Sequence, residues 1–375
     1  MQNNKHSPGP IRVFHRYDQL PKTGGIEKIL TTWYKTSNRN LFSYDFGITS
    51  PRLLDTDFAA FVRQQGNTFL TARSASTPWG RLSYLFRLYK TLKTGKYAVF
   101  QKHISSSLSL FFDSGVVFFS GIKNRYILTH SPLILPFPHN SFYIWLVRWI
   151  IKKTYTRCFA VSELAGKNVY GPKIPFTVVS PGIEVDKFAF NQELRLQTRK
   201  KLGMENNFIV GAVGRLSPEK NHTFLLDIFK EIHAQNSSAR LIIVGDGPLK
   251  GTLLQKARRL GLEKEILFTG DVTNPACYYQ AFDILIFPSS YESVGLVALE
   301  AQTSGLPCIL SDTILSEICV CNTARLSLSA KPSVWAQKAL SFSHNFSRQD
   351  QSSRIKQAGW DFSHFTQKME QFYSH

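Results

Sequence analysis

The feature that most constrains this 375-residue chain is the alternation of short apolar runs with helical segments in its second half. Such runs, separated by helices, predict parallel strands buried on both faces of one sheet. The sequence predicts these strands at Phe208–Val213, Leu241–Val244, Ile266–Thr269, Ile284–Phe287 and Pro307–Leu310. It predicts helices at His222–Ala234, Pro248–Leu260, Tyr278–Ala281 and Val294–Thr303. We therefore expect a doubly wound α/β domain.

The first half shows the same class of pattern. A strand is predicted at Ile11–Tyr17, followed by a glycine loop that ends at Gly25 and by a helix. Further strands are predicted at Tyr97–Gln101, Tyr126–Thr129 and Cys158–Val161, and helices at Leu82–Leu92 and Leu108–Gly121. The length favours two domains. We expect one Rossmann-like domain over 1–182, a second over 183–353, and a terminal helix within 354–375.

The net charge is +19, and its distribution is uneven. Residues 1–180 contain 24 basic and 7 acidic side chains, so nearly all of the excess lies in the first half. A strongly basic half attracts phosphates on nucleic acid, on anionic lipid or on a phosphorylated substrate.

The five cysteines include no CxxC pair, and Cys319 and Cys321 are too close together for a standard zinc motif. This usage indicates reduced thiols in a cytosolic protein. We expect no secretory signal, because residues 1–10 are polar, and no membrane span, because apolar runs are too short.

Unusual residues follow four consecutive predicted strands of the second half. Arg215 and Lys220 follow the first of these strands, and a helix that begins near Val294 follows the fourth. Ligands of doubly wound sheets bind at strand carboxyl ends, and cations together with a helix N-terminus bind anions. A diphosphate is therefore expected here. Glu292 and Glu300 would then contact hydroxyl groups of a sugar and a ribose.

These motifs together resemble the retaining glycosyltransferases of family four. The resemblance covers Gly214-Arg215, Glu219-Lys220-Asn221, Gly245-Asp246-Gly247-Pro248 and the pair Glu292-x7-Glu300, within a longer match over 287–311. In the first half it covers Gly24-Gly25-Ile26-Glu27 and Thr129-His130-Ser131. It implies the GT-B architecture, in which two Rossmann-like domains face a cleft and a C-terminal helix returns to the first domain.

The resemblance also implies a role for each matched residue. Arg215 and Lys220, beside the Gly214 loop, would hold the donor pyrophosphate, and Val272 would lie near the base. Glu292 would contact the transferred sugar together with backbone N–H groups around Val294 and Gly295. Glu300 would bind the ribose. Gly24 and Gly25 would approach the donor phosphates from the other domain, and His130 would lie beside the donor sugar, near the reacting centre.

The implied activity is transfer of a sugar, with retention, from a nucleotide-diphosphate donor to a hydroxyl of a glycan or lipid-linked glycan. UDP is favoured as the nucleotide, with GDP as the alternative. Asp55-Thr56-Asp57 imitates a metal-binding motif of another glycosyltransferase architecture, but its position before Phe58–Val62 favours a helix cap at Asp55. No metal, no other cofactor and no nucleic-acid partner are expected.

A polyprenyl-diphosphate-linked acceptor would explain the basic first half, and would place a cytoplasmic enzyme peripherally on the inner face of the cell membrane. Residues 136–153 mix aromatic, aliphatic and cationic side chains, which fits either a membrane-interface helix or a core helix with a basic end.

Other interpretations exist for the same residues. Glu292 and Glu300 could be the paired carboxylates of a hydrolase, and His130 and His103 could be structural residues at strand ends. Arg215 with Lys220 could be a solvated turn, and Gly24-Gly25 a plain one. The alternative functions are a nucleotide-sugar epimerase of the same architecture and a basic nucleic-acid-binding protein, although no nucleic-acid module is recognisable.

Overall fold

The computed structural model describes residues 9–17, 25–49, 57–71, 77–134, 141–342 and 347–375. The chain divides into two compact units. The first comprises residues 1–181 together with 362–375, and the second comprises residues 182–361. The second boundary lies eight residues beyond the one that the sequence predicts. Residues 354–361 belong to the second unit, where the N–H of Ile183 donates to the carbonyl of Trp360 at 2.9 Å.

A seven-stranded sheet of parallel strands forms the centre of the first unit. Its strands are β1 (Ile11–Tyr17), β2 (Phe42–Ile48), β3 (Phe69–Thr71), β4 (Val99–Ser106), β5 (Asn124–Ile134), β6 (Arg157–Ala160) and β7 (Thr177–Val178). Their order is β3-β2-β1-β4-β5-β6-β7. The helices are α1 (Gly25–Thr36), α2 (Asp57–Gln64), α3 (Pro78–Thr94), α4 (Ser107–Ser120), α5 (Ser141–Thr154) and α6 (Glu163–Tyr170).

A six-stranded parallel sheet forms the second unit, in the order β10-β9-β8-β11-β12-β13. The helices are α7 (Val185–Phe188), α8 (Gln192–Leu202), α9 (His222–Gln235), α10 (Lys250–Arg259), α11 (Ala276–Ala281), α12 (Leu296–Thr303), α13 (Pro332–Ser341) and α14 (Ser352–Gln357). The strands are β8 (Phe208–Val213), β9 (Ala239–Val244), β10 (Ile266–Gly270), β11 (Ile284–Phe287), β12 (Cys308–Ser311) and β13 (Thr323–Leu326).

The last helix, α15 (Phe362–Tyr373), belongs to the first unit, where it packs on α1. It begins at Phe362, although the sequence pattern predicts a start at Ala358, because Gly359 adopts a positive φ of 80° that interrupts the helical path. Phe365, Met369 and Tyr373 are buried, so this helix supplies part of the core of the first unit.

Two strands of the first unit carry charged side chains into its interior. Arg16 of β1 and Lys102 of β4 both pair with Asp113 of α4, at 3.0 and 2.6 Å, and all three side chains are almost completely buried. Two cations therefore share one carboxylate. Burial of charge is costly, and the Asp113 carboxylate offsets part of that cost for both cations.

Within the residues that the structure describes, no helix is long and apolar enough to cross a membrane.

Replacing Asp113 by Asn should destabilise the first unit strongly. The change keeps the shape of the side chain but removes the carboxylate that both buried cations contact, and breaking a buried ion pair typically costs about 3–5 kcal/mol. The free energy of unfolding, measured by calorimetry, tests this. The control is Asp186→Asn, because Asp186 pairs with Lys356 on the surface and is 84% exposed. That variant should unfold like the wild type. Equal stability of the two variants would contradict the buried-charge argument.

Candidate functional site

The candidate site lies where the strand order of the second sheet reverses. From β8 the chain proceeds outwards through β9 and β10, and then returns to place β11 on the other side of β8. The carboxyl ends of two strands that diverge in this way leave a crevice in which ligands of doubly wound sheets bind. Lys220 follows β8 and Glu292 follows β11, so both residues lie at this point.

Lys220 and Glu292 form an ion pair between the Nζ and Oε1 atoms. The two side chains are only 18% and 11% exposed. The Lys220 ammonium also lies over the ring of Phe287, 5.5 Å from its centre. An ammonium has three N–H donors, so Glu292 can fix its position while other donors remain available for a ligand. The sequence predicted both residues as site residues but gave no sign of their contact.

The loops after neighbouring strands are hydrogen-bonded to one another. The N–H of Leu216 donates to the carbonyl of Asp246 at 2.9 Å, which joins the loops after β8 and β9. The N–H of Ser290 donates to the carbonyl of Glu219 at 2.8 Å, which joins the loops after β8 and β11. A Cβ atom at Gly245 would lie 2.2 Å from the carbonyl oxygen of Gly214, so this approach requires glycine. These contacts hold the loops of the site together.

Arg215 differs from Lys220, although the sequence grouped them. Its side chain is exposed and forms no hydrogen bond or ion pair with any residue that the structure describes. Gly214, directly before it, has a φ of 148°, and the open side of Gly214 faces the methylene groups of Lys220. A solvated guanidinium beside a fixed ammonium is an arrangement suited to a phosphate group.

The helix after β11 begins at Leu296, two residues later than the sequence predicts. Gly295 precedes it with a φ of 92°, and a Cβ there would lie 2.8 Å from Cδ1 of Ile318. Backbone strain and space therefore both require glycine at this position. Val294 is buried beside it. The first intrahelical bond comes from the N–H of Ala298, so the earlier N–H groups have no helical partner and can bind an anion.

Glu300 lies on α12, and Val272 follows β10. Glu300 is 4% exposed, and its Oε2 accepts a 2.7 Å hydrogen bond from the hydroxyl of Tyr279. Burial, with the neighbouring carboxylate, raises the pKa of Tyr279 well above its usual value, so this hydroxyl remains protonated. Glu300 thus has a structural bond, and its contact with a ribose stays a prediction. Val272 is half-buried in the loop after β10.

The remaining predicted residues belong to the first half of the chain. Gly24 and Asp55 lie outside the described residues; Gly25 begins α1 and Asp57 begins α2. His130 lies in β5, four residues before the end of the strand, and is 6% exposed. Its Nε2 lies 2.8 Å from Nδ1 of His103. Burial lowers the pKa of His130 to about 4, so its ring is uncharged at neutral pH.

Sequence reasoning missed His15 and Tyr17, which contact His103. Both lie at the carboxyl end of the first predicted strand, and that position was the available signal. In the ranges that the structure covers, no group of three or more His, Cys, Asp or Glu side chains is placed to hold a metal ion.

Known proteins resemble this chain both in sequence and in fold. Residues 195–336 match the sequence model of the family described as glycosyl transferases group 1. The chain is 33% identical over 197 residues to EpsF of Bacillus subtilis strain 168, which is named as a glycosyltransferase, and this covers 51% of each chain. It is 30% identical over 250 residues, 61% of each chain, to the Escherichia coli protein named UDP-Gal:alpha-D-GlcNAc-diphosphoundecaprenol alpha-1,3-galactosyltransferase. The chain thus spans about half to three-fifths of these relatives.

The fold of the whole chain is shared with a solved structure. The structure of HepE from Anabaena, in complex with UDP and glucose, has a TM-score of 0.77 at 18% identity and covers 97% of this chain and 99% of its own.

Fold and site together define a protein with two Rossmann-like units, of which the second has a ligand crevice at its strand reversal. The match to the glycosyl transferases group 1 model lies within that second unit. The predicted fold class, GT-B, is confirmed by the solved glycosyltransferases that share it.

Proposed function

We propose that this protein is a retaining glycosyltransferase that moves a sugar from a nucleotide-diphosphate donor to an acceptor hydroxyl. The observation that carries the proposal is the Lys220–Glu292 pair at the strand reversal, inside the matched domain. A cation suits the donor diphosphate, and a carboxylate beside it suits the hydroxyls of the sugar attached to that diphosphate. The pair therefore matches the junction at which the transferred bond is broken.

The residues of the site act mainly by stabilising charge. The bond between the anomeric carbon and the diphosphate oxygen breaks, and a bond forms from that carbon to the acceptor oxygen. The acceptor proton passes to an oxygen of the leaving diphosphate. Negative charge grows on that diphosphate, where Lys220, Arg215 and the N–H groups before Ala298 would stabilise it. Glu292 would bind the sugar and hold Lys220 in place.

The donor nucleotide is proposed to be UDP. The Escherichia coli relative has UDP-Gal in its name, and the structure of HepE contains UDP. A relative from Mycolicibacterium smegmatis is named as GDP-mannose-dependent, so a donor screen should include both nucleotides.

Lys220→Ala and Glu292→Ala should each reduce turnover severely and leave the fold intact. Loss of one charge-assisted contact in the transition state costs about 2–4 kcal/mol, which is roughly 30- to 1000-fold in kcat. Product formation is followed by mass spectrometry, with the donor found in a screen of UDP- and GDP-sugars.

The matched control for this experiment is Lys256→Ala. Lys256 is also 18% exposed and also forms an ion pair in the second unit, with Asp227. This pair joins α10 to α9 and does not lie at a strand end. Its removal should leave kcat close to that of the wild type. Similar turnover of the Lys220 and Lys256 variants would show that the site has been assigned wrongly.

Turnover should continue without a divalent metal, because Arg215, Lys220 and helix N–H groups supply the positive charge that a metal supplies elsewhere. The assay compares enzyme treated with a chelator and enzyme with added magnesium or manganese. Loss of activity in the chelator that either metal restores would overturn this proposal and would direct attention to Asp55 and Asp57.

The acceptor is proposed to be a glycan on a polyprenyl-diphosphate carrier, used in surface polysaccharide synthesis at the cytoplasmic leaflet. The Escherichia coli relative is named for an undecaprenyl-diphosphate acceptor. EpsF and the Erwinia amylovora relative named for amylovoran biosynthesis also match this chain. Such an acceptor is anchored in a membrane, so an enzyme that uses it benefits from a surface that binds lipid.

Helices α3, α4 and α5 of the first unit form such a surface. They pack side by side, α3 on α4 and α4 on α5. Every exposed phenylalanine or tryptophan among the described residues lies on one of them: Trp79, Phe86, Phe112, Phe118, Phe119, Phe142, Trp145 and Trp149. Exposed aromatic side chains concentrated in this way indicate a site of interaction.

The charges on these three helices favour an anionic lipid surface as the partner. Their one acidic residue is Asp113, which is buried, whereas Arg81, Lys90, Lys93, Lys152 and Lys153 are exposed. Arg148, which is also on α5, has a different role: its guanidinium donates to the carbonyls of Asn168 and Val169, so it supports the fold. Helix α5 has one face in the core and another face on which aromatic side chains are exposed.

Lys152→Gln with Lys153→Gln should weaken binding to anionic vesicles. Each basic residue near such a surface contributes about 1 kcal/mol, so the partition coefficient should fall roughly thirtyfold at low salt. Co-sedimentation with phosphatidylglycerol vesicles measures it, and binding should also fall as salt rises.

Two further variants sharpen the experiment. Trp145→Ser with Trp149→Ser should weaken binding without any change of charge. Lys200→Gln with Lys201→Gln removes the same charge from exposed positions on α8 of the second unit and should have little effect. Equal losses from the α5 and α8 lysine variants would mean that net charge alone drives binding, which contradicts a docking surface.

A further inference from the structure

Three histidines lie in a row across the strand reversal of the first sheet. His15 is near the end of β1, His103 is in β4 and His130 is in β5, and β1, β4 and β5 are neighbours. Nδ1 of His15 lies 2.9 Å from Nε2 of His103, and Nδ1 of His103 lies 2.8 Å from Nε2 of His130. All three rings are at least 94% buried. We call these three side chains the histidine chain.

The rings lie side by side rather than on top of one another. Adjacent ring centres are 5.1 Å apart in both pairs, and the ring planes differ by 21° and 15°. Because the facing nitrogens are much closer than the centres, each contact runs edge to edge in nearly one plane. In that geometry the N–H of one imidazole points at the lone pair of the next, as a strong hydrogen bond requires.

Burial keeps the histidine chain uncharged. It lowers the pKa of His15 to about 3, and it lowers that of His103 well below its usual value, with further contributions from His130, His15 and Lys102. A neutral imidazole has one N–H and one lone pair. The two contacts can therefore form together only if every ring carries its proton on the corresponding nitrogen, so the three tautomers are coupled.

Two arrangements satisfy this condition. In the first, His15 donates to His103 and His103 donates to His130, which leaves an N–H at Nδ1 of His130. In the second, each proton lies on the other nitrogen of its ring, which leaves a lone pair at that Nδ1. The hydroxyl of Tyr17 lies 2.6 Å from Nε2 of His103, so it competes with His15 for the one lone pair or one N–H of that nitrogen.

The two outer nitrogens of the histidine chain are open. Nδ1 of His130 and Nε2 of His15 are buried and have no hydrogen-bond partner in the structure as described. His15 also lines a small cavity of about 10 Å³, bounded by aromatic rings, which is at the lower limit for one water molecule. Buried polar atoms are normally paired, so an open nitrogen at a strand reversal indicates a bound partner.

We propose that His15 and His103 are positioning residues for His130, and that the histidine chain sets whether Nδ1 of His130 donates to or accepts from a hydroxyl group of the sugar substrate. The proposal rests on the proposed function for the identity of the substrate. The two arrangements differ only in which nitrogen of each neutral ring carries the proton, and no proton passes to the substrate. In the first, Nδ1–H of His130 donates a hydrogen bond to the substrate hydroxyl; in the second, Nδ1 accepts a hydrogen bond from that hydroxyl.

Packing alone would also explain three buried histidines. A packing role requires only that each ring fills its space, and it predicts no communication between His15 and His130. The proposal requires that a change at His15 alter the protonation pattern of His130, although these two residues contact each other only through His103. Nitrogen NMR distinguishes the two explanations, because the signals of an imidazole report which nitrogen is protonated.

The first experiment uses the whole protein labelled with nitrogen-15 at histidine and requires no substrate. At pH 7 all three rings should be neutral and protonated on the same nitrogen. His15→Phe should shift the signals of His130 and leave those of His233, on α9 of the second unit, unchanged. If His15→Phe does not fold, Tyr17→Phe removes the hydroxyl beside His103 with little change of volume, and it should shift the same signals.

A charged ring in the histidine chain at pH 7, or His130 signals that do not change in the folded variant, would overturn the proposal. Because this experiment involves no turnover, its result is independent of whether the protein is a glycosyltransferase.

The second experiment measures turnover with the donor found by the screen. His103→Phe removes both contacts and should lower kcat roughly tenfold with little change in donor KM, as expected for loss of one oriented hydrogen bond. His103→Asn keeps a polar atom close to the position of Nδ1, so it should restore most of that loss. His233→Asn is the control and should turn over normally. Equal kcat in the Phe and Asn variants would overturn the positioning role.

Discussion

The whole structure depends on the parallel pairing of its strands. Parallel strands bring all their carboxyl ends to one edge, so the residues that follow β8, β9, β10 and β11 meet although they are far apart in the chain. The helices on both faces bury these strands, which is why they are continuous apolar runs. In the second unit this constraint brings Lys220 to Glu292; in the first unit it brings His15, His103 and His130 into line.

Sequence reasoning succeeded where strands obey that pattern without exception. Phe208–Val213, Ile284–Phe287 and Ile11–Tyr17 have the bounds that the sequence predicts. The strand β2 was missed because Asp45 interrupts its apolar pattern. In the structure this carboxylate is buried and accepts hydrogen bonds from Arg12, Tyr97 and Thr68, partners that lie up to 52 residues away. Local pattern cannot reveal a polar residue whose partners come from other strands.

At the candidate site, too, the sequence pattern predicts residues but not their contacts. The residue types at strand ends predicted Arg215, Lys220 and Glu292 as site residues, because ligands of doubly wound sheets bind at strand carboxyl ends. The sequence did not reveal that Lys220 is paired while Arg215 is solvated, or that Glu300 is bonded to the buried Tyr279. It predicted a role for His130 only through family resemblance and missed His15, because the position of His15 at a strand end does not reveal that His103 lies beside it.

The position of α15 has a consequence for biosynthesis. This helix completes the core of the first unit, where Tyr373 packs against Trp33 and Tyr126 and Glu370 accepts a hydrogen bond from Ser37. Residues 362–373 are nevertheless translated after the entire second unit. On the ribosome, the second unit can therefore reach its native fold first. The first unit is synthesised earlier but stays incomplete, with an exposed hydrophobic groove that α15 fills only later. Chaperones that bind exposed apolar surface would meet the nascent chain in that interval.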